Sequence, residues 1–153
     1  MNDYTGGQCV LPVMDAIWKN SSQLHLPVPD QKMFEEIEAG FQELWNLIHA
    51  VECIDGKHIQ IKCLKESETM FYNYKHFFSI VLQAVADYRC RFIFVDVGGY
   101  GKQSDGGTFY TSYSSTFLEN SHSANLPPPS YVEGIVTDVP FVILGDDAYP
   151  LKT

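Results

Sequence analysis

The sequence predicts an α/β domain in which two helices precede three β-strands, a further helix and a fourth strand. Three observations support this prediction. Apolar residues recur at three- and four-residue steps through much of the first fifty positions, as in amphipathic helices. Runs rich in β-branched and aromatic residues then follow, with short turns between them. A last apolar run, PFVIL at residues 140–144, comes after a proline-rich loop.

The two N-terminal helices are predicted over residues 10–18 and 32–49, where apolar side chains share one helical face. Pro27 and Pro29 interrupt the chain between them. Asp30 is a suitable N-cap for the second helix, because its carboxylate can accept hydrogen bonds from backbone N–H groups of the first turn.

Three strands are predicted next, over residues 54–62, 77–85 and 91–97. The turn at residues 87–90 is short, and a short turn joins strands that run in opposite directions. We therefore expect the second and third strands to form an antiparallel hairpin.

The remainder of the chain predicts a crossover to the fourth strand. A glycine-rich loop at residues 98–101 follows the third strand. Asp105 and two glycines then open a helix predicted over residues 108–118. A surface loop at residues 126–129 leads into the last apolar run.

Three antiparallel strands, a helical crossover and a fourth strand are the opening of an RNase H-like mixed sheet, although other α/β folds share this order. In that fold two more helices and a strand follow, so the domain is predicted to be incomplete at Thr153. We divide the chain into an N-terminal helical segment, residues 1–50, and this partial domain, residues 51–153.

Composition restricts the class of protein. The chain of 153 residues is 45% hydrophobic and 14% aromatic, which excludes a disordered chain. Its net charge is −9, and Arg89 and Arg91 are its two arginines. This charge argues against the chain holding DNA alone, because phosphate neutralisation needs a basic face. A divalent metal at an acidic site, or a basic partner, would supply the missing positive charge.

The sequence predicts a soluble intracellular protein. The longest nearly apolar run, residues 77–86, is about half the length of a membrane helix. The N-terminus lacks the basic and apolar regions of a signal peptide. The four cysteines contain no CxxC pair, so free thiols in a reducing compartment are expected.

Two acidic positions are candidates for chemistry. Asp55 lies within the first predicted strand, where burying a carboxylate is costly unless it is compensated; an Asx-turn or bulge at Asp55 and Gly56 is the alternative. Asp146, followed by Asp147, comes directly after the fourth strand, where α/β sheets place ligand chemistry. Capping of a following helix is the alternative for Asp146.

In an RNase H-like sheet the first and fourth strands are neighbours, so Asp55 and Asp146 would face each other. Two carboxylates about 4 Å apart repel by roughly 4 kcal/mol at an effective dielectric of about 20. Mg²⁺ converts that repulsion into binding, because it prefers carboxylate oxygens and water as ligands. Two such ions can activate a water or a 3′-hydroxyl and stabilise the leaving oxygen of a phosphodiester.

Secondary candidates surround this pair. Asp105 is either a third acid near the metal or a helix cap, and its position before a helix favours the cap. Lys57 and His58 alternate along the strand, so only one of them can point toward the site. The YNYK stretch at residues 72–75 fits either a basic-aromatic patch or ordinary packing.

Four stretches of the chain form an ordered set of motifs. They are IDGKHIQIK (54–62), YNYKHFFSIVLQAVAD (72–87), FVDVGGYGKQSDGGTF (94–109) and LGDDAYPLK (144–152). Together they resemble the PIF/Harbinger transposase superfamily and, closely, its domesticated nuclease relatives in animals. The resemblance runs from about residue 45 to residue 152.

The resemblance implies a DDE-type nuclease that cuts DNA with Mg²⁺ or Mn²⁺. Asp55 matches the first catalytic and metal-binding acid, Asp146 the second, and Asp105 a further motif position. The third acid, a glutamate on a later helix, has no counterpart before Thr153, so we expect this chain not to cut DNA by itself. The resemblance also implies a Myb-like DNA-binding partner and a location in the nucleus, with the cytoplasm as a second location.

Some positions depart from the family pattern. His76 replaces the usual glycine, Glu52 and Cys53 replace a small Gly-Ala pair, and residues 47–49 replace a proline-containing entry to the first strand. Asp55 and Asp146 are not affected. Two competing hypotheses therefore accompany the nuclease: a domesticated, non-catalytic nuclear protein-interaction module that keeps the fold, and a truncated product without a function of its own.

Overall fold

A computed structural model describes residues 4–63, 69–111, 113–116 and 125–149. The elements, in chain order, are α1 (Tyr4–His25), α2 (Gln31–Trp45), β1 (Ala50–Gln60), β2 (Ser79–Ala86), β3 (Phe92–Tyr100), α3 (Asp105–Thr111), α4 (Tyr113–Thr116) and β4 (Val142–Leu144). Their order is the predicted one. Within the described residues, no helix is long and apolar enough to cross a membrane.

The four strands form one mixed sheet in the order β3-β2-β1-β4. β1 pairs antiparallel with β2, and β2 with β3, so the predicted hairpin is confirmed. β4 lies parallel to β1 on its other side. A parallel neighbour requires a crossover connection, which the chain makes through α3 and α4. The predicted RNase H-like arrangement of the first four strands is therefore confirmed.

The core joins helices α2 and α3 to the sheet. Its buried members are Ile37 and Phe41 from α2, Ala50 and Ile54 from β1, Val85 from β2, Ile93 from β3 and Phe109 from α3. Full burial of each large apolar side chain stabilises the fold by about 1.5–3 kcal/mol. This packing fixes the start of α3 over β1 and β2, where the acidic residues lie.

Helix α2 begins where the sequence predicts and ends earlier. Asp30 is its N-cap, and its Oδ1 atom accepts a hydrogen bond of 2.8 Å from the backbone N–H of Met33. The helix was predicted to reach residue 49, but it ends at Trp45. Asn46 adopts a left-handed conformation with φ 54°, and its N–H donates to the carbonyl of Gln42. An αL residue at this position terminates a helix, so the chain turns into β1 sooner.

His49 fastens the beginning of β1 to the loop that leads into β4. Its side chain is buried and stacks on Phe141, with 4.5 Å between ring centroids. Its Nδ1 atom lies 3.0 Å from the carbonyl oxygen of Val139, and its Nε2 atom lies 3.2 Å from Ser130 Oγ. Both ring nitrogens are thus satisfied, which holds β4 in its place beside β1.

Strand β3 continues through part of the predicted glycine loop. It ends at Tyr100, and Gly99 pairs with Val81 after an irregularity in the register. A Cβ atom at Gly99 would lie 2.5 Å from the side chain of Thr108 on α3. Glycine at this position therefore allows α3 to lie against the sheet. The glycine is required by a contact with a distant segment, which a local turn pattern does not predict.

The crossover helix begins earlier than predicted and is divided. α3 begins at Asp105 rather than at Thr108, and α4 covers residues 113–116. The last two positions of the predicted helix, residues 117 and 118, lie outside the described residues.

Candidate active site

Asp55 and Asp146 lie at the same level of two adjacent strands. In the parallel pair β1 and β4, Cys53 is opposite Leu144. Asp55 and Asp146 each follow that pair by two residues, and neighbouring strands are about 4.8 Å apart. Both side chains are exposed to solvent. The predicted neighbourhood of the two acids therefore has a structural basis in the strand register, and the separation of their carboxylates stays a prediction.

The local contacts of the two acids bear on the alternative interpretations. Asp55 Oδ1 accepts a hydrogen bond of 2.7 Å from the N–H of Gly56. The β1–β2 register continues without a shift through this position, so the proposed bulge at Asp55 and Gly56 is wrong. Asp146 Oδ1 accepts a hydrogen bond of 3.0 Å from the N–H of Ala148. This bond closes a turn directly after β4 and leaves Asp146 at the strand end.

Asp105 joins the site from the first turn of α3. The helix cap is Ser104, whose Oγ atom accepts from the N–H of Gly107 at 3.1 Å, so the capping role predicted for Asp105 is wrong. Asp105 instead reaches β1 at Gly56, where an added Cβ would lie 2.7 Å from Asp105 Cγ. Its Oδ1 atom is enclosed and accepts no hydrogen bond from the described residues.

The electrostatics of Asp105 identify its neighbours. Burial raises the pKa of the Asp105 carboxyl above its usual value. Among charged groups, His58 lowers this pKa, Asp146 and Asp55 raise it, and Lys75 lowers it. The carboxylates of Asp55 and Asp146 therefore both lie within electrostatic range of Asp105. Of the two sequence interpretations of Asp105, these surroundings favour the acid near the metal over the helix cap.

Gln83 and Tyr149 connect strand β2 to the first turn of α3 and to the segment after β4. Gln83 is buried on β2, and its Nε2 atom donates to the carbonyl oxygen of Asp105 at 2.8 Å and to the Tyr149 hydroxyl at 3.3 Å. Tyr149 follows β4, and burial, with Asp105 as the next cause, raises the pKa of its hydroxyl. Sequence reasoning missed both residues. A glutamine at an inward position of an apolar strand was the available signal, because buried amides need partners.

The other candidates divide between the two faces of β1. His58 lies on the side of Asp105, and its Nδ1 atom is 2.9 Å from Ser79 Oγ. Lys57 is exposed and alternates with His58 along the strand, as predicted. Asp147 is exposed in the turn after Asp146. In the described part of the chain, no group of three or more His, Cys, Asp or Glu side chains is arranged to hold a metal ion.

The strand order is that of the beginning of an RNase H-like sheet, and Asp55 and Asp146 lie on or just after its neighbouring strands β1 and β4. Residues 54–153 match the family described as DDE superfamily endonuclease, and the chain belongs to this family. It thus carries a DDE-type endonuclease domain related to transposases, a class of nuclease that acts on DNA. Neither a curated protein nor a solved structure matches the chain.

Proposed function

We propose that this domain cuts phosphodiester bonds of DNA with a divalent cation, Mg²⁺ or Mn²⁺, held by Asp55, Asp146 and Asp105. One observation carries the proposal: the Asp105 Oδ1 atom is enclosed, accepts no hydrogen bond from the described residues and lies in the field of the other two carboxylates. A buried carboxylate oxygen is costly unless a partner compensates it. A hard divalent cation is the partner that such oxygens prefer.

The side chains present suit this chemistry. Neighbouring carboxylates repel one another, so a cation would relieve the repulsion and draw them closer. When bound, a divalent cation supplies an activated water or 3′-hydroxyl and stabilises the leaving oxygen of a phosphodiester. Gln83 orients Asp105 through its backbone carbonyl and fixes Tyr149 beside it. These two residues are positioning residues, because they act through Asp105.

Cation binding tests the proposal directly. Electron paramagnetic resonance of Mn²⁺ titrated into the purified chain should detect a bound fraction, with Mg²⁺ as competitor. Loss of a residue that only supports a metal ligand typically lowers the affinity for the metal by about 10- to 100-fold. Asp105 and Asp55 are proposed as ligands themselves, so Asp105→Asn and Asp55→Asn should each weaken Mn²⁺ binding by at least about tenfold. Asp138→Asn, a change at an exposed aspartate in the loop before β4, is the matched control. Equal Mn²⁺ affinity in all variants would refute the metal site.

The proposal also includes the group within the family, the cellular location and a DNA-binding partner. We place the chain in the PIF/Harbinger group of the family and propose a nuclear location. We further propose that a basic, Myb-like partner brings DNA to it, which would offset a net charge of −9. Co-purification of the chain with such a partner, and retention of duplex DNA by the pair but not by the chain alone, would support this arrangement.

A nicking assay tests whether the chain cuts DNA without a partner. We expect the 153-residue chain by itself not to nick supercoiled plasmid in Mn²⁺, because an acidic surface opposes the approach of DNA. Nicking by the wild type that Asp146→Ala lacks would contradict this expectation and would support the catalytic site. Failure to bind Mn²⁺, together with retained binding of a partner protein, would favour the interaction module.

A further inference from the structure

A rigid turn at residues 72–76 presents aromatic and basic side chains beside the acidic site. Tyr74 is 73% exposed, and Lys75 Nζ lies 5.4 Å from the centroid of its ring. The turn is closed by an isolated bridge between Tyr72 and Phe78. Ordinary packing, one of the two sequence interpretations, does not account for Tyr74, because its ring stays largely in solvent.

A buried asparagine makes this turn rigid. Asn73 is 3% exposed, and its Oδ1 atom accepts hydrogen bonds from the N–H groups of Lys75 at 2.9 Å and Phe77 at 3.3 Å. Its Nδ2 atom donates to Ser79 Oγ at 2.9 Å. A surface that is already ordered loses less conformational entropy on binding, so it suits recognition.

The same contacts attach the turn to the acidic site. Ser79 Oγ also lies 2.9 Å from Nδ1 of His58, and the His58 ring meets the Tyr74 ring edge to face with 5.7 Å between centroids. His58 and Lys75 both act electrostatically on Asp105. Tyr74 and Lys75 therefore lie on the side of the acidic site where Asp105 is.

Several lysines lie on the elements around this turn, although the chain as a whole is acidic. The described residues include six lysines, of which four lie on the second half of β1, just beyond it, or on the loops before β2 and after β3: Lys57, Lys62, Lys75 and Lys102. Helix α2, which precedes the opposite end of β1, carries Glu35, Glu36, Glu38 and Glu43. Lys75 is the cation that the contacts place on the turn itself, so an anionic group beside Tyr74 would meet its ammonium first.

We propose that Tyr74 and Lys75 bind single-stranded DNA next to the acidic site, with the Tyr74 ring stacked on an unpaired base and the Lys75 ammonium on an adjacent phosphate. Exposed aromatic rings combined with basic side chains are the usual means of holding a single strand. In duplex DNA the faces of the bases are covered by their neighbours, so a ring on a short turn reaches them only where the strands are open. This inference rests on the proposed DNA-cutting function and specifies the form of DNA that the site receives.

Fluorescence anisotropy of a labelled oligonucleotide tests the binding of a single strand. The measurement is made at low salt and in EDTA, because removal of divalent cations prevents cleavage. Tyr74→Ala should raise the Kd for a single strand of about 15 nucleotides by about 5- to 100-fold, the usual effect of losing one stacked base. Tyr74→Phe should stay within about twofold of the wild type, because it keeps the ring. Tyr131→Ala is the matched control, since Tyr131 is 69% exposed in the loop before β4.

The role of Lys75 is tested by the salt dependence of the Kd. Lys75→Ala should make the slope of log Kd against log salt concentration smaller by about 0.7, the value for one phosphate contact on a single strand. Lys19→Ala, a change at an exposed lysine of α1, should leave the slope unchanged. Melting temperatures of all variants are compared first, so that a folding defect is separated from a binding defect.

The outcomes separate this inference from the proposed function. If Tyr74→Ala binds the single strand as tightly as the wild type, or if no single strand binds at all, the inference is overturned. Binding that depends on duplex DNA and is insensitive to Tyr74 would overturn it as well. If Tyr74→Ala weakens binding as expected but Mn²⁺ binding is unaffected by Asp105→Asn, the inference stands and the metal-dependent function fails.

Discussion

The buried carboxyl of Glu52 should make the stability of the fold decrease as pH rises. Glu52 lies on β1 opposite Ile143 of β4 and is 0% exposed. Burial raises the pKa of its carboxyl from 4.5 to about 9. The group is thus protonated in the native state at neutral pH, whereas in the unfolded chain it ionises near its ordinary pKa.

The sign and size of the effect follow from this difference. Between the two pKa values the native state holds one more proton than the unfolded state, so the free energy of unfolding falls as pH rises. The stabilising contribution of Glu52 to the free energy of unfolding is fully present below pH 4.5 and is lost progressively until about pH 9. The slope is about 1.4 kcal/mol per pH unit, so from pH 5.5 to pH 8 the loss is about 3 kcal/mol.

Glu52→Gln removes the titration and keeps the shape of the side chain. Urea denaturation, followed by the fluorescence of the two tryptophans, gives the free energy of unfolding at each pH. We expect the variant to gain about 3 kcal/mol relative to the wild type between pH 5.5 and pH 8. Glu133→Gln changes an exposed glutamate and should show no such gain. Equal pH slopes in the wild type and Glu52→Gln would refute the reasoning.

Three further predictions concern the site and the thiols. In EDTA, Asp55→Asn should raise the melting temperature by removing like-charge repulsion. Mn²⁺ should reduce the difference in melting temperature between the variant and the wild type, because it stabilises the wild type by binding. A variant that is less stable than the wild type, with no response to Mn²⁺ in either protein, would argue against the repulsion. Gly56→Ala should lower the free energy of unfolding by about 1–3 kcal/mol, because its Cβ would collide with Asp105; an unchanged urea midpoint would contradict this. Cys90, which is exposed, should react with a thiol reagent faster than Cys53, since burial raises the pKa of the Cys53 thiol; equal rates would count against this order.

Features set by neighbouring residues were predicted correctly from the sequence. The Asp30 cap is an example, because an N-cap depends on a few successive residues. The β2–β3 hairpin is another, since the short turn at residues 87–90 leaves the chain no alternative to reversing. The boundary between residues 1–50 and 51–153 stays a prediction.

Errors arose where a distant contact decides the local structure. Gly99 was assigned to a loop, yet it belongs to β3, because Thr108 approaches it closely from α3. Asp105 was interpreted as a cap, whereas Ser104 has that role. The local sequence favoured the loop and the Asp105 cap, and only the packing of α3 on the sheet gives the correct assignments.

The sequence by itself determined the order of helices and strands along the chain, the family motifs, and the identity of Asp55 and Asp146 as candidates. These features depend on local periodicity and on the order of residues. The tertiary structure decided the rest of the site. It set the register that brings Asp55 and Asp146 to one level, and it enclosed the Oδ1 atom of Asp105. It also buried Gln83, whose amide donates to the Asp105 carbonyl and the Tyr149 hydroxyl. Burial and register depend on which distant segments pack together, and that choice minimises the free energy of the whole chain rather than of any one segment.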